Sequence, residues 1–436
     1  MEKTKVGIIG LGTVGSGVAK ILLDHGDRTA RHAGRVLWLE KAVVRDLKKP
    51  RDCELPEGVL TDQVDDVIDH PEIKVVCQLM GGVEPARTVM LRMLEAGKDV
   101  VTANKALLAE HGPELFDRAR ELGRSIAFEA SVAGGIPIIT NLSQCLSANQ
   151  VTSLHGILNG TSNFILDKMH TDGASYEDVV AEAQRLGYAE ADPAMDVDGT
   201  DAAQKLAILA QLAFGARLNW REIPRSGIDN VDLLDVQYAQ EMGYKIKLLA
   251  VADLKDDGLD CEVNPTLVAA GSPLGEVGGP FNAVLAKGDA VGPLFYYGQG
   301  AGQMPTASAV VADLIDTAVG RTALTFHTLE LWSKKFEGVR QADFARSTGK
   351  RYVRVMVQDH PGVLADVTKA FGDEGISIAS LLQKPPLAGD PVAGEGVVPL
   401  VIMTHAASEA ATDKACAKIA GLDACKSEPV KMWVRD

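Results

Sequence analysis

The chain has 436 residues, of which 46% are hydrophobic and 24% are charged. This composition is typical of soluble globular proteins, so it excludes a disordered, collagen-like or coiled-coil chain, and the length predicts about two to four domains. The net charge of −15 argues against nucleic acid or an anionic membrane surface as a partner. Because neither a membrane-length apolar run nor a signal peptide is recognisable, we expect a cytoplasmic protein.

Strand-like and helix-like segments alternate at the start of the chain. The predicted strands cover 6–9, part of 37–44, 75–80, 99–102 and 126–129, and the predicted helices cover 14–23, about 85–96 and a stretch from about 106. Such alternation is typical of a Rossmann-type, doubly wound parallel sheet with helices on both faces.

The pattern changes at about Pro137 to that of an α+β domain. Long helical stretches alternate there with predicted strands at 151–158, 247–252 and 261–268. A further helix at 301–318 is expected to pack back on the first domain.

The last stretch of the chain, from about residue 350, has the order βαββαβ. Its predicted elements are strand 351–358, helix 363–373, strand 376–383, strand 397–404, helix 408–419 and strand 430–434, with a Pro/Gly-rich stretch at 385–396. This order predicts a ferredoxin-like module. With the turn Asp359-His-Pro-Gly362-Val363-Leu364, it resembles an ACT domain, a family that commonly binds small amino acids. A module used only for assembly is the alternative.

The segment Gly10-Leu-Gly12-Thr13-Val14-Gly15 follows a strand and opens a helix. In such a turn the first glycine permits the tight bend and the second lets the backbone approach a pyrophosphate. The third lets the helix pack on the strand, and the helix N-terminus supplies amide donors. The placement predicts dinucleotide binding by this segment.

The end of the second predicted strand bears on the choice of cofactor. An arginine there accommodates the 2′-phosphate of NADP, whereas an acidic residue holds the 2′-hydroxyl of NAD. Arg45 favours NADP, and the adjacent Asp46 keeps NAD open. An Arg45 that is merely solvated at the strand end is the alternative.

Residues 183–205, AQRLGYAEADPAMDVDGTDAAQK, hold five carboxylates and one lysine around an Asp-Pro turn. Asp201 and Lys205 stand at i and i+4 of a predicted helix, so they share one face. A surface ion pair is the alternative interpretation. Because the same stripe continues into Ile208 and Leu212, we expect the pair at the edge of a core or cleft. Burial and a carboxylate partner have opposite effects on a lysine pKa, so Lys205 is suited to holding and releasing a proton.

The spacing A-x-x-x-G-Y-A-x-x-D-P-x-x-D-x-x-G-x-D-x-x-x-K, from Ala183 to Lys205, resembles the signature of homoserine dehydrogenases without a break. Four other segments resemble the same family: residues 10–15, Thr102-Ala-Asn-Lys105, Glu129-Ala-Ser-Val-Ala-Gly-Gly-Ile-Pro137 and Asn159-Gly-Thr-Ser-Asn-Phe164. The resemblance covers residues 1 to about 330, and an ACT-like module also occurs in that family.

The resemblance implies reduction of L-aspartate 4-semialdehyde to L-homoserine by NADPH or NADH, and the reverse. It makes Lys205 the general acid/base and Asp201 the residue that orients it. Glu190 would bind the substrate ammonium, and Gly187, Asp196 and Asp201 would also contact substrate.

Lys105 follows a predicted strand end on the first domain, where open parallel sheets bind ligands. By resemblance it would contact substrate and nicotinamide from the side opposite Lys205. The alternative, a solvent-exposed lysine at a helix N-terminus, opposes the helix dipole.

The resemblance also implies a site for a monovalent cation, Na⁺ or K⁺. Its ligands would be the Glu129 carboxylate and the carbonyls of Val132, Gly134 and Ile136. A buried, hydrogen-bonded Glu129 without a cation is the alternative. In the later loop at 298–302, Gly302 would touch the nicotinamide end of the same dinucleotide.

These inferences give a predicted domain plan. Residues 1–136 with about 303–325 form the dinucleotide-binding domain, 137–302 the substrate-binding, catalytic and dimerisation domain, 326–349 a connector, and 350–436 the ACT-like domain.

An enzyme at this step lies on the route to threonine and methionine. We therefore expect a homodimer or homotetramer that L-threonine inhibits by binding near Asp359, Gly362, Val363 and Leu364.

Two alternatives to this activity stay open on the sequence. One is another dehydrogenase of a small amino acid, and the other is a non-enzymatic sensor of dinucleotides or amino acids. A sensor would have no use for Lys205, Asp201 and Glu190 together.

Overall fold

The computed structural model describes residues 2–333, 337–383 and 396–435. Part of the predicted connector and most of the Pro/Gly-rich stretch at 385–396 therefore lie outside the described residues. The strands are β1 (Lys3–Ile9), β2 (Val36–Val43), β3 (Leu60–Thr61), β4 (Ile73–Gln78), β5 (Asp99–Thr102), β6 (Ile126–Ala127), β7 (Val151–Ile157), β8 (Tyr244–Lys255), β9 (Gly258–Ala269), β10 (Phe281–Gly288), β11 (Gly292–Gln299), β12 (Thr348–Gln358), β13 (Ile378–Gln383), β14 (Val397–Thr404), β15 (Ala407–Ser408) and β16 (Val430–Arg435).

Helices connect most of these strands. The α-helices are α1 (Thr13–Asp24), α2 (Gly26–Ala33), α3 (Asp65–Ile68), α4 (Ala86–Glu95), α5 (Lys105–Glu121), α6 (Ile138–Thr140), α7 (Gly160–Asp172), α8 (Tyr176–Leu186), α9 (Ala194–Val197), α10 (Thr200–Phe214), α11 (Leu233–Glu241), α12 (Gln303–Ala318), α13 (Arg321–Leu329), α14 (Val363–Asp373) and α15 (Glu409–Ala420). None of the helices in the described part of the chain combines the length and the apolar composition that a membrane crossing requires.

The chain divides into two compact units. The first contains residues 1–154, 203–222 and 282–340, and the second contains 155–202, 223–281 and 341–436. In the first unit, strands β1 to β6 form a parallel sheet in the order β3-β2-β1-β4-β5-β6. This is the strand order of a doubly wound dinucleotide-binding sheet, so the predicted fold class of this region is confirmed.

Helix α12 packs on this sheet domain, as expected for the predicted helix at 301–318. Ala307, Val310 and Leu314 of α12 share a buried core with Val18 and Leu22 of α1. A late segment of the chain thus completes the first unit.

The second unit contains the predicted βαββαβ module. Its strands lie in the order β16-β12-β14-β13, and the neighbouring pairs are antiparallel. The ferredoxin-like, ACT-type prediction is therefore confirmed. The outer strand β16 also pairs in parallel with β9, through Trp433↔Thr266, Val434↔Leu267 and Arg435↔Val268. The module therefore continues the β8–β9 hairpin as one sheet within this unit.

Two expectations from the sequence need correction. The predicted strand 126–129 ends at Ala127, because Glu129 begins a short 3₁₀ turn. Helix α13 extends to Leu329 and so enters the stretch that is predicted as a connector. Strands β10 and β11 were not predicted. Both contain glycine, and the sequence of β11, GPLFYYGQ, lacks the regular alternation of apolar and polar residues that indicates a strand.

A buried ion pair joins the module to the rest of the second unit. Arg354 of β12 donates to both carboxylate oxygens of Asp235 on α11, at 2.6 and 2.9 Å, and Tyr352 Oη donates to the same carboxylate at 2.7 Å. Asp235 is 0% exposed. Burial alone would lower the pKa of Arg354, but its bonds to Asp235 raise that pKa above the ordinary value.

Replacing Asp235 by Ala should destabilise the protein strongly. The substitution leaves the Arg354 charge and the Tyr352 hydroxyl without their carboxylate, and breaking a buried pair typically costs about 3–5 kcal/mol. Urea unfolding measures the loss. The control is Lys369→Ala, which removes an exposed pair with Asp373 on α14 and should cost less than about 1 kcal/mol. Similar losses in both variants would contradict this account.

Candidate functional site

The turn between β1 and α1 has the geometry that a dinucleotide requires. Gly10 has φ +104°, a conformation that favours glycine, and its amide donates to Val43 O at 3.0 Å. A Cβ on Gly15 would lie 2.1 Å from Gly10 O, so only glycine lets the helix approach the strand this closely. By contrast, a Cβ on Gly12 would meet nothing within 4 Å. The backbone at Gly12 therefore faces open space.

This open turn fits a pyrophosphate. Gly12 is the N-cap of α1, so Thr13 and Val14 lie in the first turn, where amide donors point out of the helix. No acidic residue stands in that turn to repel a phosphate. The residues predicted for the pyrophosphate are thus together at one helix N-terminus.

The loop after β2 is basic and exposed. Arg45 is exposed and has no ion-pair partner among the described residues. The adjacent Asp46 accepts the amide of Lys48 at 2.8 Å, so one of its carboxylate oxygens already serves the loop backbone. Arg45 is therefore the better placed of the two to meet a ribose substituent.

Lys105 lies at the first position of α5, directly after the carboxyl end of β5, and is partly buried. Asn104 fixes this helix start. Its side chain accepts the amide of Leu107 at 3.0 Å and donates to Met80 O at 3.0 Å and Gly82 O at 2.7 Å. These bonds tie the start of α5 to the segment after the neighbouring strand β4.

The Glu129 loop and the Gly302 loop meet within the first unit. Gly135 donates its amide to Gln299 O at 2.9 Å, and the Glu129 amide donates to Asp313 Oδ2 of α12 at 2.8 Å. Gly302 is the N-cap of α12, with φ +124°. The structure thus brings the predicted cation loop against the predicted nicotinamide loop.

The Glu129 carboxylate is 4% exposed and caps α6. It accepts the amides of Ile139 at 2.9 Å and Thr140 at 2.8 Å, and also the Thr140 hydroxyl. Burial raises the pKa of Glu129, although these donors oppose the shift. They use three of about four lone-pair directions, so the carboxylate has room for one further ligand. Among the three predicted carbonyl ligands, Ile136 O accepts the amide of Ile138 at 2.7 Å.

In the second unit one amide side chain organises the acidic segment. Asn159 caps α7 by accepting the Ser162 amide at 2.8 Å, and its Nδ2 donates to Asp196 Oδ1 at 2.8 Å and Asp201 Oδ2 at 2.9 Å. Ser162 Oγ donates to Asp196 O at 2.6 Å. Asn159 is 5% exposed, so these bonds are shielded from water. Two of the predicted substrate-binding carboxylates are therefore held together.

The other predicted substrate residues lie on the surface. Gly187 is the left-handed C-cap of α8, with φ +78°, and Glu190 is exposed in the loop that follows. Thr161 Oγ1 donates to Tyr188 O at 2.7 Å, and the rings of Tyr188 and Phe164 are 5.0 Å apart. The start of α7 therefore also supports this loop.

Asp201 and Lys205 lie one turn apart on α10, a helix that is buried over residues 201–211. Their exposed fractions are 3% and 9%. Neither side chain belongs to a solvated surface, so the surface-pair interpretation is wrong. Thr200 begins the helix with its amide bound to Asp198 Oδ1 at 2.7 Å.

The predicted effector residues surround the start of α14. Gly362 is the N-cap, with φ +101°, Val363 is buried, and Leu364 is 38% exposed. The Val363 amide donates to His360 O at 3.3 Å, whereas the amides of residues 362, 364 and 365 have no backbone acceptor among the described residues. Asp359 Oδ1 accepts Gln383 Nε2 at 3.2 Å.

Asn159 is the functional candidate to which the sequence assigned no role. It was visible only as the first residue of the segment 159–164. Its signal was an asparagine before a helix, which predicts a cap. Its bonds to Asp196 and Asp201 span 37 and 42 residues, and no local pattern reports contacts of that range.

Known families match three stretches of the chain. The model described as homoserine dehydrogenase matches residues 137–315, that for the homoserine dehydrogenase NAD binding domain matches 10–129, and that for the ACT domain matches 351–420. The homoserine dehydrogenase of Pseudomonas aeruginosa is 42% identical over 442 residues, which covers 100% of this chain and 99% of the relative. The chain belongs to the homoserine dehydrogenase family. It is an oxidoreductase that acts on a CH–OH group.

Solved structures of homoserine dehydrogenases agree with this assignment. A homoserine dehydrogenase from Thiobacillus denitrificans is similar with a TM-score of 0.92 and 42% identity, over 100% of this chain and 99% of that one. A hyperthermophilic archaeal homoserine dehydrogenase in complex with NADPH has a TM-score of 0.60 and 27% identity, over 72% of this chain and 97% of that one. A nicotinamide dinucleotide is thus the cofactor class of this chain.

Replacing Asn159 by Ala should lower kcat/KM strongly and the free energy of unfolding only slightly. Loss of a helix cap costs about 1 kcal/mol, but loss of the two carboxylate contacts also frees Asp196 and Asp201 to move. We expect kcat/KM to fall about tenfold or more, since hydrogen bonds to charged groups contribute about 1.5–3 kcal/mol.

The control for this variant is Ser175→Ala, which removes the cap of α8 without touching those carboxylates. It should lose similar stability in urea and keep its kcat/KM. An equal drop in kcat/KM for both variants would refute the role of Asn159.

Proposed function

We propose that this enzyme transfers hydride reversibly between L-homoserine and L-aspartate 4-semialdehyde, a step in the biosynthesis of threonine and methionine. The observation that carries the proposal is the buried Asp201 and Lys205 of α10, at the end of the homoserine dehydrogenase signature. A buried lysine one turn from a buried carboxylate suits proton transfer at a hydroxyl. Burial favours the neutral form of the lysine, whereas the carboxylate favours the charged form of the lysine.

Lys205 acts as the general acid/base. In the direction of oxidation its Nζ takes the hydroxyl proton of homoserine, and in reduction it returns a proton to the aldehyde oxygen. When bound, the nicotinamide would accept the hydride in oxidation and supply it in reduction. Asp201 orients Lys205, and Asn159 holds Asp201 in turn.

The substrate is recognised by charge. Glu190 binds the substrate ammonium, and Gly187, Asp196 and Asp201 make further contacts. Lys105 contacts substrate and nicotinamide from the side opposite Lys205. Its place at the carboxyl end of β5 supports this role, since ligands bind at that edge of an open parallel sheet.

NADP is the preferred cofactor and NAD the second. Gly10, Gly12, Thr13, Val14 and Gly15 hold the pyrophosphate, and Gly302 lies at the nicotinamide end. The exposed Arg45 binds the 2′-phosphate, in a loop where Lys48, Lys49 and Arg51 add positive charge. The NADPH complex of the archaeal relative supports this preference for NADP over NAD.

A monovalent cation, Na⁺ or K⁺, binds at the Glu129 loop. Glu129 supplies one oxygen, and the carbonyls of Val132, Gly134 and Ile136 supply the others. Hard oxygen ligands suit such cations. The cation would brace the loop that contacts the Gly302 turn.

L-threonine inhibits the enzyme by binding at the start of α14. Its carboxylate accepts the outward amides of Gly362 and Leu364, a position that the helix dipole also favours. Asp359 and Val363 complete the turn. ACT modules commonly pair across subunits, which supports a homodimer or homotetramer.

The activity and the role of Lys205 are tested together. Purified protein should reduce NADP with L-homoserine and give no comparable rate with other small hydroxy amino acids. Lys205→Met should lower kcat about 10²–10⁴-fold and leave NADP binding nearly unchanged. Lys98→Met, which replaces another buried lysine, should keep its kcat. An unchanged kcat for Lys205→Met would disprove the assignment.

Arg45→Ala should weaken NADP selectively. A charge-assisted contact with the 2′-phosphate is lost, so KM for NADP should rise about tenfold or more while KM for NAD stays nearly constant. The control is Arg28→Ala on α2, which should change neither constant. Equal losses for both cofactors would show that Arg45 does not contact the phosphate.

Millimolar L-threonine should lower the rate and bind in calorimetry. Gly362→Ala places a Cβ on a residue with φ +101° and disturbs the amides of the turn, so threonine should bind at least about tenfold more weakly. Gly375→Ala, at φ +71° at the other end of α14, carries similar strain and should bind threonine normally. The absence of both binding and inhibition in the unmodified enzyme would falsify the regulatory role.

A further inference from the structure

One fully buried position in the central strand β4 is polar. Central strands of a parallel sheet are usually apolar, yet β4 ends with Gln78, which is 0% exposed. Gln78 pairs with Ile9 at the end of β1 and with Thr102 at the end of β5. It therefore lies at the carboxyl edge of the sheet where the strand order reverses, and open α/β sheets bind their ligands at that edge.

Only one end of the Gln78 side-chain amide has a partner. Its Oε1 accepts the Thr102 hydroxyl at 2.8 Å, whereas its Nε2 is buried and has no acceptor among the described residues. An unsatisfied buried donor typically destabilises a protein, and native structures contain few such groups. A contribution to stability therefore does not explain why this position is polar.

Thr102 connects Gln78 to the start of α5. Its Oγ1 accepts the amide of Asn104 at 3.1 Å, and its own proton is donated to Gln78. Asn104 in turn caps α5 by accepting the Leu107 amide at 3.0 Å, and Lys105 is the first residue of that helix. A continuous chain of hydrogen bonds therefore runs from Gln78 to the residue directly before Lys105.

The loop that follows β4 belongs to the same network. Asn104 Nδ2 donates to Met80 O at 3.0 Å. A Cβ on Gly10 would lie 2.7 Å from Leu79 O and 3.0 Å from Met80 N, so this loop packs directly against the first glycine of the turn between β1 and α1. The bonds around Asn104 therefore fix the start of α5, and with it Lys105, relative to the dinucleotide turn.

We propose that Gln78 is a positioning residue for Lys105. Through Thr102 and Asn104 it holds the start of α5 in the place from which Lys105 contacts substrate and nicotinamide. The unsatisfied Nε2 is the consequence of keeping a polar acceptor at this depth in the sheet. The hold on α5 rests on the contacts alone, whereas its effect on the rate rests on the proposed function.

The first test needs neither substrate nor cofactor. Gln78→Met keeps the length of the side chain, removes the unsatisfied Nε2 and leaves the Thr102 hydroxyl without its acceptor. Because one unsatisfied group replaces another, the urea midpoint of unfolding should stay the same or rise. The Leu107 amide should exchange with deuterium about fivefold faster or more, because the cap of α5 is held less firmly.

The control is Ser125→Ala at the opposite edge of the same sheet, where the Ser125 hydroxyl donates to Asp99 Oδ1 at 3.0 Å. Its urea midpoint should fall, and Leu107 should exchange as in the unmodified protein. Thr102→Val breaks the same chain with little change of shape and should speed the exchange as Gln78→Met does. Normal exchange at Leu107 in either variant, or a midpoint that falls further for Gln78→Met than for Ser125→Ala, would overturn the inference.

The rate test follows kcat/KM for L-homoserine. Gln78→Met should lower it about tenfold or more, because a displaced group no longer has the geometry that the reaction requires. Gln78→Glu keeps an oxygen that accepts from Thr102 and should retain most of the activity. In a Lys105→Met background, Gln78→Met should change kcat/KM less than about twofold. A loss for Gln78→Glu as large as for Gln78→Met, or an equal loss with and without Lys105, would refute the positioning role.

Failure of the proposed function gives a different result. If the unmodified protein oxidises no homoserine, or if Lys105→Met keeps the full rate, the proposed function is wrong. Faster exchange at Leu107 in Gln78→Met would still show that Gln78 holds the start of α5, and normal exchange would show that it does not.

Discussion

The side-chain amide of Asn159 makes the contacts that hold together the acidic segment on which the proposed catalytic arrangement depends. It caps α7 and donates to Asp196 and Asp201, which lie on two other helices. The segment between α8 and α10 contains only one short helix, α9, so its own backbone bonds do little to fix it. A buried amide that meets two carboxylates at 2.8 and 2.9 Å supplies that constraint, because leaving either carboxylate unpaired in a dry environment is costly.

Helix α10 connects this constraint to the residue that we propose as the general acid/base. Asp201 lies in its first turn and Lys205 in its second, and the helix is buried from residue 201 to residue 211. A rigid, buried helix keeps the lysine in one position, which proton transfer in a defined geometry requires. The second unit contains another connection. Strand β9 pairs both with the ACT-type strand β16 and with Pro224 and Ser226, and Ile228, just after Ser226, donates its amide to Val197 O, shortly before α10.

The features that the sequence predicts well are those encoded by neighbouring residues. The glycine turn at 10–15, the strand and helix order of the first unit and the βαββαβ module each follow from short patterns, and the structure has them within a few residues. Helix α14 and strand β14 have the predicted bounds. Burial of Asp201 and Lys205 also followed from the apolar stripe on α10.

What the sequence did not predict depends on long-range contact. The pairing of β16 with β9 joins segments that no spacing rule connects, and the bonds of Asn159 reach two separate helices. Glu129 shows the same limit in another form, because the hydrogen bonds that it accepts from the Ile139 and Thr140 amides depend on how the following turn folds. The C-terminal module that the sequence predicts as a domain of its own is joined to the rest of the second unit through a shared sheet and the Asp235–Arg354 pair.

The central claim is that Asn159 supports catalysis by positioning Lys205 through Asp201. A double-mutant cycle of Asn159→Ala and Lys205→Met, followed by kcat/KM for L-homoserine, tests it most directly. If the claim holds, Asn159→Ala costs much activity in the wild-type background and almost none once Lys205 is absent, because the two residues act as one unit. Full additivity of the two losses would contradict the claim.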